Sequence, residues 1–192
     1  TAAGRGRDTA DVSALTTAQL VALTTDQVAA LRTAQIVVLS TSNIALIETE
    51  DIAALTSAQV AVLTTAQVVA LTSSQIASLT NEQVAAFSST QIKAIETDDI
   101  SAMTTAGIAS IEYADLAGIT TSQIAAMTTS QTAAVSEEQT TLMTTAQITA
   151  IAANTPLVLD LDGNGIQTLS AQNGVIFDVN NDGVVEKTGW VS

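Results

Sequence analysis

The chain has 192 residues, of which 47% are hydrophobic, 12% are charged and only 2% are aromatic. Because an ordinary globular domain is about a quarter charged, any core here must be built from many small Ala, Val, Ile and Leu contacts. Nineteen acidic residues stand against five basic ones, which argues against nucleic acid and anionic membrane surfaces as partners. The sequence has no Cys and no His, so disulfides, thiolate nucleophiles and the most common general base are excluded. No apolar run approaches the roughly 18 residues that span a bilayer, and we expect no membrane insertion.

An eight-residue repeat runs without a gap from Leu15 to Ala150 and makes seventeen octads, preceded by a degenerate octad at residues 7–14. Position one is apolar in all seventeen octads, and position two is Thr or Ser in thirteen. Position five is Gln in twelve, and position six is Ile, Val or Leu in all but two, the exceptions being Thr132 and Thr140. A fixed short period of this kind indicates a repeat architecture in which each unit packs on its neighbours.

The eight-residue period favours short helices over a continuous helix or a strand. A continuous α-helix advances about 100° per residue, so its apolar stripe would circle the helix, and positions one and six fall on opposite faces of a flat strand. Thr or Ser followed three residues later by Gln is the capping-box pattern of a helix start. We therefore predict an all-α superhelical solenoid with one very short capped helix per octad. A β-solenoid with corners is the alternative.

Each octad is predicted to be a two-residue corner followed by a helix of about six residues. Positions one and six flank the cap as a hydrophobic staple does, so Leu15 should pack on Leu20 across Thr16. An isolated octad would order eight residues at a cost of about 12 kcal/mol, which is more than its own side chains can offset. Stability should therefore grow with the number of octads.

Three octads replace the Thr and the Gln together with acidic residues, namely Glu48 with Asp51, Glu96 with Asp99, and Glu112 with Asp115. Two carboxylates three residues apart share a helix face, so calcium contact is one interpretation. We favour a structural variant of the helix start, because Asp near a helix N-terminus interacts favourably with the helix dipole. In that variant the following Thr49 or Thr97 would serve as a displaced cap.

The composition changes at Ala152, after which come the one proline and five of the nine glycines. Two apolar runs, at residues 157–159 and 175–177, each lead into an acidic Gly-rich loop. Oxygen side chains at loop positions one, three and five, with Gly at position six, are what an EF-hand-like calcium loop needs. The predicted ligands are Asp160, Asp162 and Asn164 in the first loop and Asp178, Asn180 and Asp182 in the second, with Glu186 at position nine as a further ligand, direct or through water.

The two loops depart from a helical EF-hand at position twelve, where Ala171 and Gly189 replace the Glu. Strand-flanked calcium loops are therefore expected, and metal-free turns between short strands are the alternative. We divide the chain into a leader with the degenerate octad at 1–14, an octad solenoid at 15–152 and a calcium-loop segment at 153–192, which we expect to be truncated.

Residues 156–166, 177–183 and 188–191 resemble, in this order, the calcium-binding segment of large secreted bacterial proteins of the repeats-in-toxin class. The resemblance implies that the loop side chains are calcium ligands and that Ile166 and Val184 supply carbonyl oxygens. The nonapeptide repeats that define the β-roll of that class are absent from this sequence. The octads resemble repeat tracts of similar large bacterial proteins, which implies no known activity.

These observations together favour a non-catalytic module of a secreted or bacterial cell-surface protein. It would act as a rigid spacer or an adhesive surface, with calcium ions bound and a cell-surface or glycan target as partner. A chain without Cys and with calcium loops suits export unfolded and folding where calcium is abundant. No Ser or Thr has an indicated base, so we expect no enzyme. The alternatives are the stalk of a larger secreted enzyme or toxin, and an ice or glycan binder that uses the Thr found at position three in eleven octads.

Overall fold

A computed structural model describes residues 9–154 and the backbone of residues 176–177 and 186–187. Residues 9–154 contain only helices and the turns between them, so the all-α solenoid prediction is confirmed for this range and the β-solenoid alternative is wrong. The helices are α1 (Thr9–Ser13), α2 (Thr17–Val21), α3 (Thr25–Ala29), α4 (Thr33–Val37), α5 (Thr41–Ile44), α6 (Thr49–Ala54), α7 (Ser57–Ala61), α8 (Thr65–Val69), α9 (Ser73–Ser78), α10 (Asn81–Val84), α11 (Ser89–Ala94), α12 (Thr97–Ala102), α13 (Thr105–Ser110), α14 (Tyr113–Leu116), α15 (Thr121–Ala126), α16 (Thr129–Ala133), α17 (Glu137–Thr140) and α18 (Thr145–Asn154).

The helix starts carry the predicted capping box. At the start of α8, Thr64 Oγ1 accepts a hydrogen bond from the backbone N–H of Gln67 at 3.2 Å, and Gln67 Oε1 accepts one from the backbone N–H of Thr64 at 2.9 Å. The same reciprocal pair opens α2, α3, α7, α9, α10, α11, α15, α16 and α17. The position-two residue is thus the N-cap, as the sequence predicts.

Each helix ends ahead of an extended corner, which includes the next cap residue and, after α6 or α9, the position-one residue as well. Thr72, the cap of α9, has φ −81° and ψ 158°, and α8 ends at Val69, three residues earlier. The octad that begins at Ile151 has Ala152 where the cap residue belongs. Here α18 runs on to Asn154 and reaches ten residues, whereas the preceding helices have four to six.

The helices are stacked as a superhelix. Helices three apart in sequence pack together, as α6 does with α9, α9 with α12, and α12 with α15. Hydrogen bonds between successive turns join residues 25 to 31 positions apart. One superhelical turn therefore takes between three and four octads, a number that the sequence left open.

The core is a continuous column formed by positions one and six of the octads. Position six is buried in every octad from Leu20 to Ile124, and position one is buried in every octad from Leu39 to Met127. Full burial of one such side chain contributes roughly 1.5–3 kcal/mol. No single octad could supply a core, but the stacked array does.

The two exceptions at position six both lie near the C-terminal end of the array. Thr132 is buried, and its hydroxyl donates to the carbonyl oxygens of Thr128 and Thr129, both at 3.0 Å. At the last octad, Ile148 is 39% exposed. Position six therefore faces the turn that follows it in sequence, since it is exposed in the last octad. The two polar residues found at position six both lie near this end of the array.

Two short strands are described beyond the array. β1 (Ile176–Phe177) and β2 (Glu186–Lys187) pair antiparallel, with Ile176 opposite Lys187 and Phe177 opposite Glu186. They lie on either side of the second predicted calcium loop in sequence. The remainder of the predicted strand-and-loop segment lies outside the described residues.

Candidate functional site

Of the predicted calcium ligands, Glu186 lies in β2, where its backbone is described. The other eight lie outside the described residues, namely Asp160, Asp162, Asn164, Ile166, Asp178, Asn180, Asp182 and Val184. The calcium site therefore stays a prediction. Within the part of the chain that the structure describes, no group of three or more acidic side chains could hold a metal ion.

The most regular polar feature of the described array is a bridge made by the position-five glutamines. Gln67 is 2% exposed, and its Nε2 donates to the carbonyl oxygens of Ile36 at 2.8 Å and Leu39 at 2.9 Å. Ile36 lies near the C-terminal end of α4, and Leu39 lies two residues beyond that end, so the two carbonyls belong to the octads four and three before that of Gln67. One side chain thus closes the cap of its own helix through Oε1 and holds that helix to the preceding turn through Nε2.

Nine glutamines make this bridge, and each Nε2 donates to a carbonyl oxygen 28 positions earlier at 2.5–2.9 Å. They are Gln59, Gln67, Gln75, Gln83, Gln91, Gln123, Gln131, Gln139 and Gln147, and all are buried. A buried amide or carbonyl that loses its partner costs about 1–3 kcal/mol. The carbonyls 28 positions earlier accept no backbone hydrogen bond within the described array, so the bridges satisfy acceptors that the corners between the short helices leave unpaired.

The sequence analysis missed the bridge because it assigned the position-five residue to capping alone. A capping box accepts Glu as readily as Gln, yet Glu occurs at position five in none of the seventeen octads. Only the amide has N–H groups to donate to carbonyl oxygens. The preference for Gln over Glu was the signal that a second, donating contact exists.

The acidic variants keep the ordinary helix register, so the predicted displaced cap is wrong. Glu48 and Glu96 occupy the N-cap position without a side-chain cap hydrogen bond, and Thr49 and Thr97 are the first helical residues after them. The backbone turn persists without the cap, since the N–H of Ile52 donates to the carbonyl of Glu48 at 3.0 Å. Tertiary packing, and not the cap alone, fixes where each helix begins.

Two of the three aspartates of these octads contact a different part of the preceding turn. Asp115 Oδ1 accepts from the backbone N–H of Ser89 at 2.8 Å, and Asp99 Oδ1 accepts from Ser73 Oγ at 2.5 Å. A carboxylate has no proton for the carbonyl ends that Gln binds, so it lies against donors at a helix start, where the dipole favours it. These contacts support the structural interpretation of the acidic octads. Gly118 completes the close approach, because a Cβ there would lie 2.5 Å from the carbonyl oxygen of Ser89.

One shallow cavity of about 240 Å³ lies between α13, α14 and α17, and its lining includes Glu112, Tyr113 and Glu138. Two serines also line it, but Ser110 donates to the carbonyl of Gly107 and Ser136 accepts from its own helix. Neither hydroxyl is hydrogen-bonded to a carboxylate. The cavity therefore lacks a paired nucleophile and base.

The length and apolar content of the described helices can be compared with those of a membrane-spanning helix. None of them combines the length and the apolar content that crossing a bilayer requires.

The stacked, capped helices define the chain as an α-helical repeat protein of solenoid type. It belongs to the ALTTAQ repeat family, which matches residues 8–41, 44–81, 92–129 and 108–145, together more than half of the chain. Residues 157–192 match the SPM domain. No solved structure matches.

A curated relative is the "Iron-regulated protein FrpA" of Neisseria meningitidis serogroup C, which is 54% identical over 39 residues. Those residues are 19% of this chain and 4% of that protein. The similarity therefore concerns a short segment of a much longer relative.

Proposed function

We propose that the chain is a non-catalytic repeat module of a secreted or cell-surface bacterial protein, in which the octads form a rigid spacer or adhesive surface. The observation that carries the proposal is the series of nine buried glutamine bridges between successive turns. Bending the superhelix would open these hydrogen bonds and expose the apolar column beneath them. Each opened bridge costs about 1–3 kcal/mol, so the array resists bending.

The identity with the neisserial protein over 39 residues supports a bacterial parent protein. The resemblance of residues 156–191 to secreted repeats-in-toxin proteins supports secretion of that parent protein. The lack of Cys fits a chain that needs no disulfides.

We further propose that the loops beginning at Asp160 and Asp178 bind calcium, with Glu186 contributing to the second. Three oxygen side chains at alternate positions, followed by Gly, suit a hard cation with oxygen ligands. The antiparallel pairing of β1 with β2 around the second loop fits a strand-flanked site. Calcium would then order this segment, while caps and apolar burial stabilise the octads independently.

Calorimetry with the double variant Asp160→Ala and Asp178→Ala tests the calcium assignment. The unaltered chain should bind calcium with a dissociation constant no weaker than about millimolar, as extracellular modules do. Calcium should also protect the segment after Ala152 from protease. The double variant should lose both responses. A control with Asp26→Ala and Asp98→Ala, which removes the same charge from exposed positions, should keep both. Equal protection in calcium and in chelator, with no heat of binding, would contradict the assignment.

Spin labels test the spacer, because a chain without Cys accepts labels only where Cys is introduced. Ala58→Cys and Ser122→Cys place labels at exposed positions more than one superhelical turn apart. Pulsed electron resonance should give one narrow distance distribution, the same with and without calcium. A broad distribution would show a flexible array and would contradict the spacer role.

A glycan or ice binder is the second candidate, favoured by the exposure of all eleven position-three threonines. Successive octads are rotated by a quarter to a third of a turn, so these side chains spread around the superhelix instead of forming one flat face. That arrangement suits separate glycan contacts better than an ice plane. Thermal hysteresis of the purified chain would support the ice-binding function, and its absence together with binding on a glycan array would favour the glycan function.

A further inference from the structure

The last superhelical turn has apolar side chains that the array does not cover. Ile148 occupies position six of the last octad and is 39% exposed, whereas Ile124, at position six of an interior octad, is fully buried. Leu142 is 54% exposed, the largest value among the large apolar side chains of the described array. It occupies position eight, where thirteen of the seventeen octads have Ala, Ser or Gly. A large apolar residue at this place indicates a contact outside the octads.

The same end of the array has backbone carbonyls that no bridge reaches. The series of bridges ends with Asn154, whose Nδ2 donates to the position-one carbonyl of Met127 at 2.6 Å. The next two position-one carbonyls belong to Val135 and Met143, and they accept no hydrogen bond from residues 9–154. Both side chains are only partly buried. Positions 163 and 171, which lie 28 residues later, hold Gly and Ala, so no side-chain amide can continue the series there.

The segment that follows α18 has the chemistry that this end lacks. Leu157, Val158 and Leu159 are uncharged and apolar, and they begin three residues after Asn154. Alternate side chains of an extended chain point to the same side, so Leu157 and Leu159 can contact one surface while backbone N–H groups donate beside them. The second apolar run, at residues 175–177, is less suited, because the backbone of residues 176–177 already pairs with β2.

We propose that the C-terminal end face of the array, defined by Val135, Leu142, Met143 and Ile148, binds the apolar run at residues 157–159 of the same chain. The leucines of the run cover the apolar side chains, and its backbone N–H groups donate to the carbonyls of Val135 and Met143. This contact closes the apolar column, as the terminal unit of a solenoid must. It also holds the segment that follows in one orientation to the array, in place of a flexible link.

The path of the chain favours this occupant over a separate partner. Asn154 is tied to the preceding turn, because its Nδ2 donates to the carbonyls of Ile124 and Met127. Ile148 lies six residues before Asn154, which is about 9 Å along a helix. Leu159 lies five residues after Asn154, and five extended residues reach at most about 18 Å. The run can therefore return along α18 to Ile148, and its covalent attachment gives it a high effective concentration at the face.

Hydrogen exchange tests the proposal with two pairs of exposed apolar residues. Leu142→Ser with Ile148→Ser alters the C-terminal end face, and Val21→Ser with Val69→Ser is the matched control, because those valines are 43% and 45% exposed. The backbone amides of residues 157–159 should exchange at least about tenfold faster in the face variant than in the unaltered chain, because release of the run opens their hydrogen bonds. The control should leave their exchange unchanged. Equal exchange in all three chains would overturn the proposal, as would a lack of protection at these amides in the unaltered chain.

Disulfide formation tests the position of the run, because the chain has no Cys of its own. Ile148→Cys with Leu159→Cys places one thiol in the face and one in the run. Ala146→Cys with Leu159→Cys is the control, since Ala146 is exposed on another side of α18. Under mild oxidant the first pair should form an intramolecular disulfide at least about tenfold faster, because docking raises the effective concentration of its thiols. Equal rates would contradict docking, and disulfide-linked dimers would mean that the run of a second copy occupies the face and that docking within one chain is wrong.

Discussion

Gln67 and Gln19 occupy the same octad position, close the same capping box and yet lie in opposite environments. Gln67 is buried and joins two superhelical turns, whereas Gln19 is exposed and serves only its own helix. The comparison separates what an octad does alone from what it does in the stack. Local helix starts are a property of each octad, but within residues 9–154 the hydrogen bonds between superhelical turns join octads three and four apart.

The largest expected difference between the two positions follows from replacing the bridging amide of Gln67 by a carboxylate. Gln67→Glu keeps an oxygen for the Thr64 cap but sets a buried negative charge against the carbonyl oxygens of Ile36 and Leu39. Loss of two hydrogen bonds and burial of an unpaired charge should lower the free energy of unfolding by about 3 kcal/mol or more. Urea unfolding followed by circular dichroism measures the change.

Gln19→Glu is the matched control, because its cap is the same and its donor has no partner among the described residues. It should change the free energy of unfolding by less than about 0.5 kcal/mol, as surface substitutions usually do. The deficit of Gln67→Glu should also shrink at acidic pH, where a protonated carboxyl can donate one of the lost hydrogen bonds. Similar deficits in both variants would mean that the bridge contributes nothing beyond the cap.

An added methyl group at the closest inter-turn approach should have the next largest effect. In Gly118→Ala the new Cβ would meet the backbone carbonyl of Ser89 at 2.5 Å, and the turns must separate to admit it. Overpacking of this kind costs about 1–3 kcal/mol. Thermal unfolding should show the loss.

Gly107→Ala is the control for Gly118→Ala. Its Cβ would meet the Thr104 hydroxyl at 3.0 Å and Val84 at 3.5 Å, both of which are side-chain atoms, and Ala gains about 0.5–1 kcal/mol over Gly within a helix. The two effects should largely cancel. A Gly118→Ala variant as stable as Gly107→Ala would mean that α14 and α11 are less closely packed than the structure has them.

The smallest expected effect concerns two adjacent threonines of one octad. Thr64→Ala removes the hydroxyl that caps α8, and should cost about 1 kcal/mol. Thr65→Ala removes an exposed hydroxyl that makes no described hydrogen bond, and should cost little. Equal effects in thermal melts, or the reverse order, would contradict the assignment of position two as the cap.

The sequence was sufficient to predict the local structure of the array. Thr64 with Gln67 is a helix start because two side chains and two backbone N–H groups within four residues satisfy each other, and nothing distant is needed. The same reasoning placed the apolar column at positions one and six. It erred in predicting Thr49 as a displaced cap, because the helix keeps its register with Glu48 at the N-cap position even without a side-chain cap hydrogen bond.

The superhelical turn could not be predicted, because it depends on contacts between residues that no local rule relates. Nothing in residues 63–70 identifies Ile36 and Leu39 as the partners of Gln67 before the octads are stacked. One indication of an inter-turn contact was present in the sequence: position five is Gln in most octads and Glu in none. For the calcium ligands from Asp160 to Glu186, the sequence remains the basis of the assignment.

The short reach of the inter-turn bridges has a consequence for how the chain acquires its structure. The bridges connect residues no more than 31 positions apart, so the array is dominated by local contacts, and chains of this kind fold quickly. A nucleus of about four octads can form at any point and spread in both directions, as in other repeat arrays. A chain that emerges gradually, from a ribosome or through a narrow pore, could therefore fold turn by turn, with each new glutamine finding its carbonyls already in place.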